Sequence, residues 1–155
     1  MIRTNMVGIL SALVALLADQ VTKIIVIGNG SALAQGIEVF PGFDLVFVRN
    51  DGVSFGMLAG VPWWGLTLLA FSICCWLVVL LLRTNSQHEA LAYGVIIGGA
   101  LGNVMDRIRF RAVTDFLDFY IGDLHWPAFN LADVFVVSGV AILLLAPILQ
   151  SLRQA

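Results

Sequence analysis

Two runs of this sequence bring aspartates to places where apolar segments meet polar residues. The first reads Gly102-Asn103-Val104-Met105-Asp106-Arg107 and continues, after a short gap, to Val113-Thr114-Asp115-Phe116. The second, Phe129-Asn130-Leu131-Ala132-Asp133, leads straight into another apolar segment. A carboxylate costs several kcal/mol at the middle of a bilayer, so acids kept at the edge of apolar segments are candidates for function. Two such acids converging on one site would share a proton, because neighbouring carboxylates cannot comfortably both ionise.

The segments that must position these acids are of membrane grade. The chain has 155 residues, 60% of them hydrophobic and only 12% charged. A soluble domain of this length has too much surface for its volume to hide so much apolar area. The expected architecture is therefore a membrane α-helical one, with four transmembrane helices at about 6–27, 63–82, 90–106 and 131–149 in a single integral-membrane domain over residues 1–155. The second span is uncharged, begins after Pro62 and opens with Trp63 and Trp64, which suit the membrane interface. The third and fourth are short for a full span, which puts their polar ends near the membrane surface. Asp19, Gln20 and Lys23 interrupt the first apolar run, so it reads as a retained helix rather than a cleaved signal peptide.

Two stretches between the spans read as strands. Ile37-Glu38-Val39-Phe40, a Pro41-Gly42 turn and Phe43–Val48 form one candidate hairpin, and the β-branched, aromatic segment 112–121 forms a third strand. Together they suggest a small sheet over the helix mouths. Arginine counting does not orient the chain. Arg3, Arg83 and Arg153 share one side; Arg49, Arg109 and Arg111 share the other, with Lys23 and Arg107 at its helix ends, so the count leans towards a cytoplasmic sheet.

Each polar cluster has an ordinary explanation beside a functional one. Asp19 and Lys23, four residues apart on one helix face, form either a self-neutralising pair with Lys23 reaching towards the headgroups or part of a site. Asn50-Asp51-Gly52 is a strong turn sequence, or it aims the Asn50 amide at a substrate carbonyl. Gly94, Gly98 and Gly102 make a flat stripe for helix packing, and it leads to Asn103, Asp106 and Arg107 on one face. Arg107 could brace a loop or hold a carboxylate. Asn130 could cap the last helix, with Asp133 in its first turn complementing the dipole. Asp44, Asp51, Asp118 and Asp123 read as loop carboxylates. Cys74 and Cys75 read as small hydrophobes, His125 lacks partners at metal-ligand spacing, and low basic content argues against nucleic acid.

Taken in order, five pieces of the sequence resemble the lipoprotein signal peptidases, the type II signal peptidases of bacteria. These are Asp19-Gln20-Val21-Thr22-Lys23, Asn50-Asp51-Gly52-Val53-Ser54-Phe55, Gly102–Arg107, Val113–Phe116 and Trp126–Asp133. Asp51 and Ser54 stand where smaller or less polar residues are expected. The resemblance implies an intramembrane aspartic endopeptidase that removes signal peptides from prolipoproteins, cutting before a diacylglyceryl-Cys. It implies the bacterial inner membrane, cytoplasmic termini, an extracytoplasmic β-sheet and an active site near the outer face. Its expected partners are prolipoprotein signal peptides and membrane lipid, the protein acting as a monomer with no metal or cofactor. Asp115 and Asp133 would be the catalytic dyad. Asn50, Gly52, Asn103, Arg107 and Asn130 would bind substrate or support the site, with Asp19, Lys23 and Asp106 behind them. Asp133, at a helix N-terminus, would be the anionic member and Asp115 the proton carrier. A small proton-coupled transporter using the same acids as a relay, and a non-catalytic scaffold, are the readings from other classes.

Overall fold

A computed structural model describes residues 2–52 and 61–154, without the side chains of 147–154. Val53, Ser54 and Phe55 of the second motif therefore lie outside the described residues, as does the side chain of Pro147. The chain order is α1 (Ile2–Gly28), α2 (Gly30–Leu33), β1 (Ile37–Phe40), β2 (Phe43–Asn50), α3 (Trp63–Arg83), α4 (Gln87–Phe110), β3 (Val113–Ile121), β4 (Leu124–His125) and α5 (Leu131–Gln154). The molecule is mostly helical, with one small antiparallel sheet ordered β1-β2-β3-β4.

α1 and α3 are long and apolar enough to cross a membrane. Their outward faces would be untenable in water. Leu10, Val14, Leu17, Val21 and Ile24 of α1 and Leu68, Phe71 and Trp76 of α3 are each more than half exposed. Scattered exposed leucines are ordinary, but contiguous apolar faces of this extent mark a lipid or protein contact.

α4 differs from its expected bounds of 90–106. It is a 24-residue helix that begins at Gln87, where the Ser86 hydroxyl accepts the Glu89 backbone N–H, and ends at Arg111 in a left-handed cap with φ 58°. The polar residues expected to end it stay helical because α1 covers them. α4 is the hub, packing on α1, α3 and α5.

Close approach explains how. A Cβ added at Gly94 would overlap the Gly8 carbonyl, one at Gly98 the Ala12 carbonyl, and one at Gly102 the Asp19 carboxylate, all on α1. Gly99 faces the Ala132 carbonyl of α5, and Gly139 of α5 returns the contact against Ile96 and Ala92. Small residues thus bring backbones together where apolar burial alone gives no driving force.

The sheet grows from the expected strands. β1 and β2 flank the Pro41-Gly42 turn, where Gly42 takes φ 95°. Asp44 and Asp118, within the expected strands, are opposed across β2 and β3, where their flanking aromatic and branched residues favour strand. Beneath the sheet, Val26, Leu33 and Phe116 form a core that seats it on the end of α1.

Gly98→Val should lower stability by about 2 kcal/mol or more, since backbone rather than a movable side chain opposes the new atoms. Gly28→Ala should be close to neutral, because a Cβ there meets nothing within 4 Å. Thermal unfolding of both variants in detergent checks the contrast.

Candidate active site

Local rules alone would place Asp133 in an ordinary cap. Asn130 Oδ1 accepts the Asp133 backbone N–H at 3.1 Å, and Asp133 Oδ2 accepts the Asn130 N–H at 3.2 Å. This is a reciprocal capping box, in which each side chain satisfies an otherwise orphaned N–H at the start of α5. What the cap leaves over makes it a site. The Asn130 amide still has two N–H groups, and they go to Asp115 Oδ1 at 2.6 Å and Asn103 Oδ1 at 3.1 Å. Asn130 is fully buried and all its side-chain polar atoms are used.

The segment preceding α5 makes this possible. Phe129 pairs with β3 through its N–H to the Leu117 carbonyl at 3.0 Å, while its own carbonyl accepts N–H groups from Phe116 and Leu117. That added stretch of pairing holds Asn130 beside Asp115. Asn50 approaches from the other strand. Its amide donates to Asp115 Oδ2 at 2.9 Å, and its carbonyl oxygen accepts the Gly52 N–H at 3.1 Å. Asn50 is opposite Val113 in register, so it reaches Asp115 on the diagonal. The turn expected at Asn50-Asp51-Gly52 is present, and in this structure the Asn50 amide holds an aspartate.

Behind the two aspartates lies a buried ionic frame. Lys23 Nζ is 3.0 Å from Asp19 Oδ2 and 3.4 Å from Asp106 Oδ2, with only 1% of the lysine side chain exposed. Lys23 therefore does not reach for the headgroups, because α4 closes over it. Asp19 Oδ1 accepts the backbone N–H of Ala132 at 3.0 Å. Asp106 Oδ2 accepts the backbone N–H of Thr114 at 2.9 Å. Each carboxylate thus grips the residue immediately before one of the two aspartates.

Lys23 makes one more bond, donating to Asn103 Oδ1 at 2.8 Å, which leaves the Asn103 amide to donate to Asp133 Oδ1 at 2.9 Å. The lysine settles which way that amide points, since an ammonium can only donate. Arg107 takes the loop-bracing role, with Nη2 donating to the Gly52 carbonyl at 3.3 Å.

Burial pushes the Asp115 carboxyl up to about 6. The Asn50 amide opposes that rise, the negative charge of Asp133 adds to it, and Asn130 and Lys23 oppose it further. The two aspartates therefore feel each other's charge. Asp115 and Phe119 lie on the same face of β3 by strand alternation. Along that strand lies an apolar cup of about 840 Å³ whose walls include Pro41, Phe119, Leu124, Trp126 and Phe129.

All ten residues singled out from the sequence gather here: Asp19, Lys23, Asn50, Gly52, Asn103, Asp106, Arg107, Asp115, Asn130 and Asp133. Sequence reasoning missed Gln20 and Thr114. Gln20 donates to Asp19 Oδ2 at 3.1 Å, and the Thr114 hydroxyl accepts from Arg49 at 2.7 Å. Both are adjacent to acids already noted, and that adjacency was the available signal. His125 pairs instead with Asp118, Nδ1 to Oδ2 at 2.8 Å, away from the aspartate pair.

Removing the cation should expose the frame's cost. Lys23→Met leaves two buried carboxylates facing each other and should destabilise the protein by about 3–5 kcal/mol. Pairing it with Asp106→Asn should recover part of that loss, as read from denaturant unfolding in detergent.

Comparison with known proteins agrees in sequence and in shape. Residues 11–149 match the family described as Signal peptidase (SPase) II. A lipoprotein signal peptidase of Aeromonas hydrophila is 43% identical over 139 residues, covering 86% of this chain and 83% of the relative. Another from Nitratidesulfovibrio vulgaris is 44% identical over 142 residues, covering 87% and 85%. Two solved structures described as bacterial membrane enzymes superpose with TM-scores of 0.82 and 0.76, each at 28% identity. The first covers 96% of this chain and 91% of the solved one, the second 90% of each. The chain belongs to the signal peptidase II family, the lipoprotein signal peptidases.

Proposed function

We propose that this peptidase is an aspartic endopeptidase with Asp115 and Asp133 as its catalytic dyad. The observation that carries the reading is Asn130, whose buried side chain is bonded to both aspartates at once. Its substrate is a prolipoprotein carrying a diacylglyceryl-Cys, cut on the N-terminal side of that residue. The single domain, residues 1–155, sits in the bacterial inner membrane as a monomer, with α1, α3, α4 and α5 as its four spans. Both termini face the cytoplasm, and the sheet and dyad lie at the outer face.

The chemistry follows from one proton held between two acids. Asp115, whose pKa lies near 6, carries that proton, and Asp133 acts as the base. Asp133 takes a proton from water, and the resulting hydroxide attacks the scissile carbonyl carbon while Asp115 donates to the developing oxyanion. Collapse of the tetrahedral intermediate breaks the C–N bond. The proton gained by Asp133 goes to the leaving amine, and Asp115 recovers its own from the intermediate's hydroxyl. Among the described residues no Ser or Cys is hydrogen-bonded to a base, which favours direct attack by water over an acyl-enzyme. Asn50, Asn103 and Asn130 hold the dyad, Arg107 braces the loop at Gly52, and Asp19, Lys23 and Asp106 fix the backbone beneath. The apolar cup beside β3 offers surface for the apolar part of the substrate.

The gathering of acids at one end of the helices argues against a transmembrane proton relay. Asp115→Asn and Asp133→Asn should each leave a folded protein and lower cleavage of a diacylglyceryl-modified substrate at least about a hundredfold. Near-normal cleavage by either variant would rule out the dyad.

Activity should also fall as pH rises above about 6, because the free enzyme then loses the Asp115 proton. The Asn50 amide stabilises the charged form of Asp115, so its loss raises the pKa further. Asn50→Leu should therefore move the alkaline limb of kcat/KM to higher pH while lowering its plateau. A limb that stays in place would contradict this coupling.

A further inference from the structure

One corner of the molecule carries charge that the peptide chemistry does not use. α4 ends in Ile108-Arg109-Phe110, and Arg111 follows as its cap. From β2, the Arg49 guanidinium lies 3.9 Å from the centre of the Phe110 ring and also donates to Thr114. Arg109 reaches sideways to α1, donating from Nη1 to Gln20 Oε1 at 3.1 Å. Phe110 is thus flanked by two arginines in sequence and faced by a third in space. Arg109 and Arg111 are exposed and Arg49 is partly buried.

These charges lack counterions. Among the described residues the ion pairs belong to Lys23 and His125, and no carboxylate lies within ion-pair distance of Arg49, Arg109 or Arg111. Asp51, two residues along from Arg49, makes no ion pair with it. The negative end of the α4 dipole favours nearby cations, but its partial charge is about half a unit. Three full charges at one corner exceed it.

The surroundings select the missing anion. Ile108 is 61% exposed, Phe110 41%, and Ile24 and Ile25 on the last turn of α1 are 62% and 59%. Arg109 and Arg111 therefore alternate with exposed apolar side chains, and the proposed membrane placement sets this surface at the bilayer interface, where lipid phosphate lies. Guanidinium planes match phosphate oxygens two at a time. We infer that Arg49, Arg109 and Arg111 form a docking corner for the headgroup of an anionic phospholipid, close to where substrate meets the dyad. The inference rests on the membrane reading above. It also accounts for the failure of arginine counting to orient the chain, since arginines kept for a ligand are not free to obey the bias.

The test uses the full chain, purified in neutral detergent and given equal amounts of phosphatidylglycerol and phosphatidylcholine with identical acyl chains. Native mass spectrometry then reads the lipid retained. The wild type should keep the anionic lipid several-fold more than the zwitterionic one, and added salt should weaken the preference. The triple variant R49Q/R109Q/R111Q should lose most of the preference, and R109Q/R111Q, which leaves the Arg49 packing intact, should lose a large part. Substituting lysine at all three positions should retain it in part. R3Q/R83Q, at the opposite end, should keep it. An unchanged preference in both glutamine variants at the corner, or its loss in R3Q/R83Q alone, would overturn the inference. Retention of neither lipid by any form would overturn the inference and leave the membrane reading, which rests on the apolar helices, in place.

Discussion

The Lys23 ammonium, enclosed between two carboxylates where α1 crosses α4, is the constraint on which the site depends. A buried ion pair contributes little net stability by itself, because desolvation offsets most of the attraction. Its use here is geometric. Asp19 grips the Ala132 N–H and Asp106 grips the Thr114 N–H, so the first turn of α5 and the start of β3 are referred to one point. Each bond stops one residue short of an aspartate. The separation and aim of the pair are thereby set by backbone, which is stiffer than side-chain packing. In the proposed mechanism, groups held in this way lose little freedom when substrate arrives.

The frame needs helices in close contact, and the glycines of α4 provide it. A side chain at Gly102 would displace the Asp19 carboxylate itself, so helix packing and site construction meet at one residue. Asn130 has a comparable double use. It caps α5 through its carbonyl oxygen and reaches Asp115 and Asn103 through its amide, so capping the helix also fixes Asp133 relative to Asp115. Burial that raises the Asp115 pKa is the other half of the design. The same dry corner that costs stability keeps a proton available up to about pH 6.

Much of this was legible in sequence, because its signals are local. Apolar runs, the Pro41-Gly42 turn and the branched residues after Ala112 give the helices and strands close to their observed bounds. Asp115 and Asp133 stand out by their places at segment edges, and the resemblance of the ordered motifs singles them out as a pair. The targets of the polar side chains were not legible. Lys23 meets Asn103 across 80 positions and Asp19 meets Ala132 across 113. A four-residue spacing predicts only the Asp19–Lys23 half of such a network. The α4 terminus was placed too early for the same reason: Asp106 and Arg107 look like a helix exit until α1 and the Gly52 loop supply their partners. Which protein group the Asn50 amide reaches follows only from the β2–β3 register, which sets it diagonally across from Asp115.

The most direct test of the account is a pH titration of the dyad by infrared spectroscopy in lipid, with carboxyl-labelled aspartate and the two Asn variants to assign the bands. The account predicts a protonated-carboxyl band from Asp115 that persists up to about pH 6 and is absent from Asp115→Asn. A band of the same pH range that survives in Asp115→Asn and disappears in Asp133→Asn would place the proton on the wrong aspartate and contradict it.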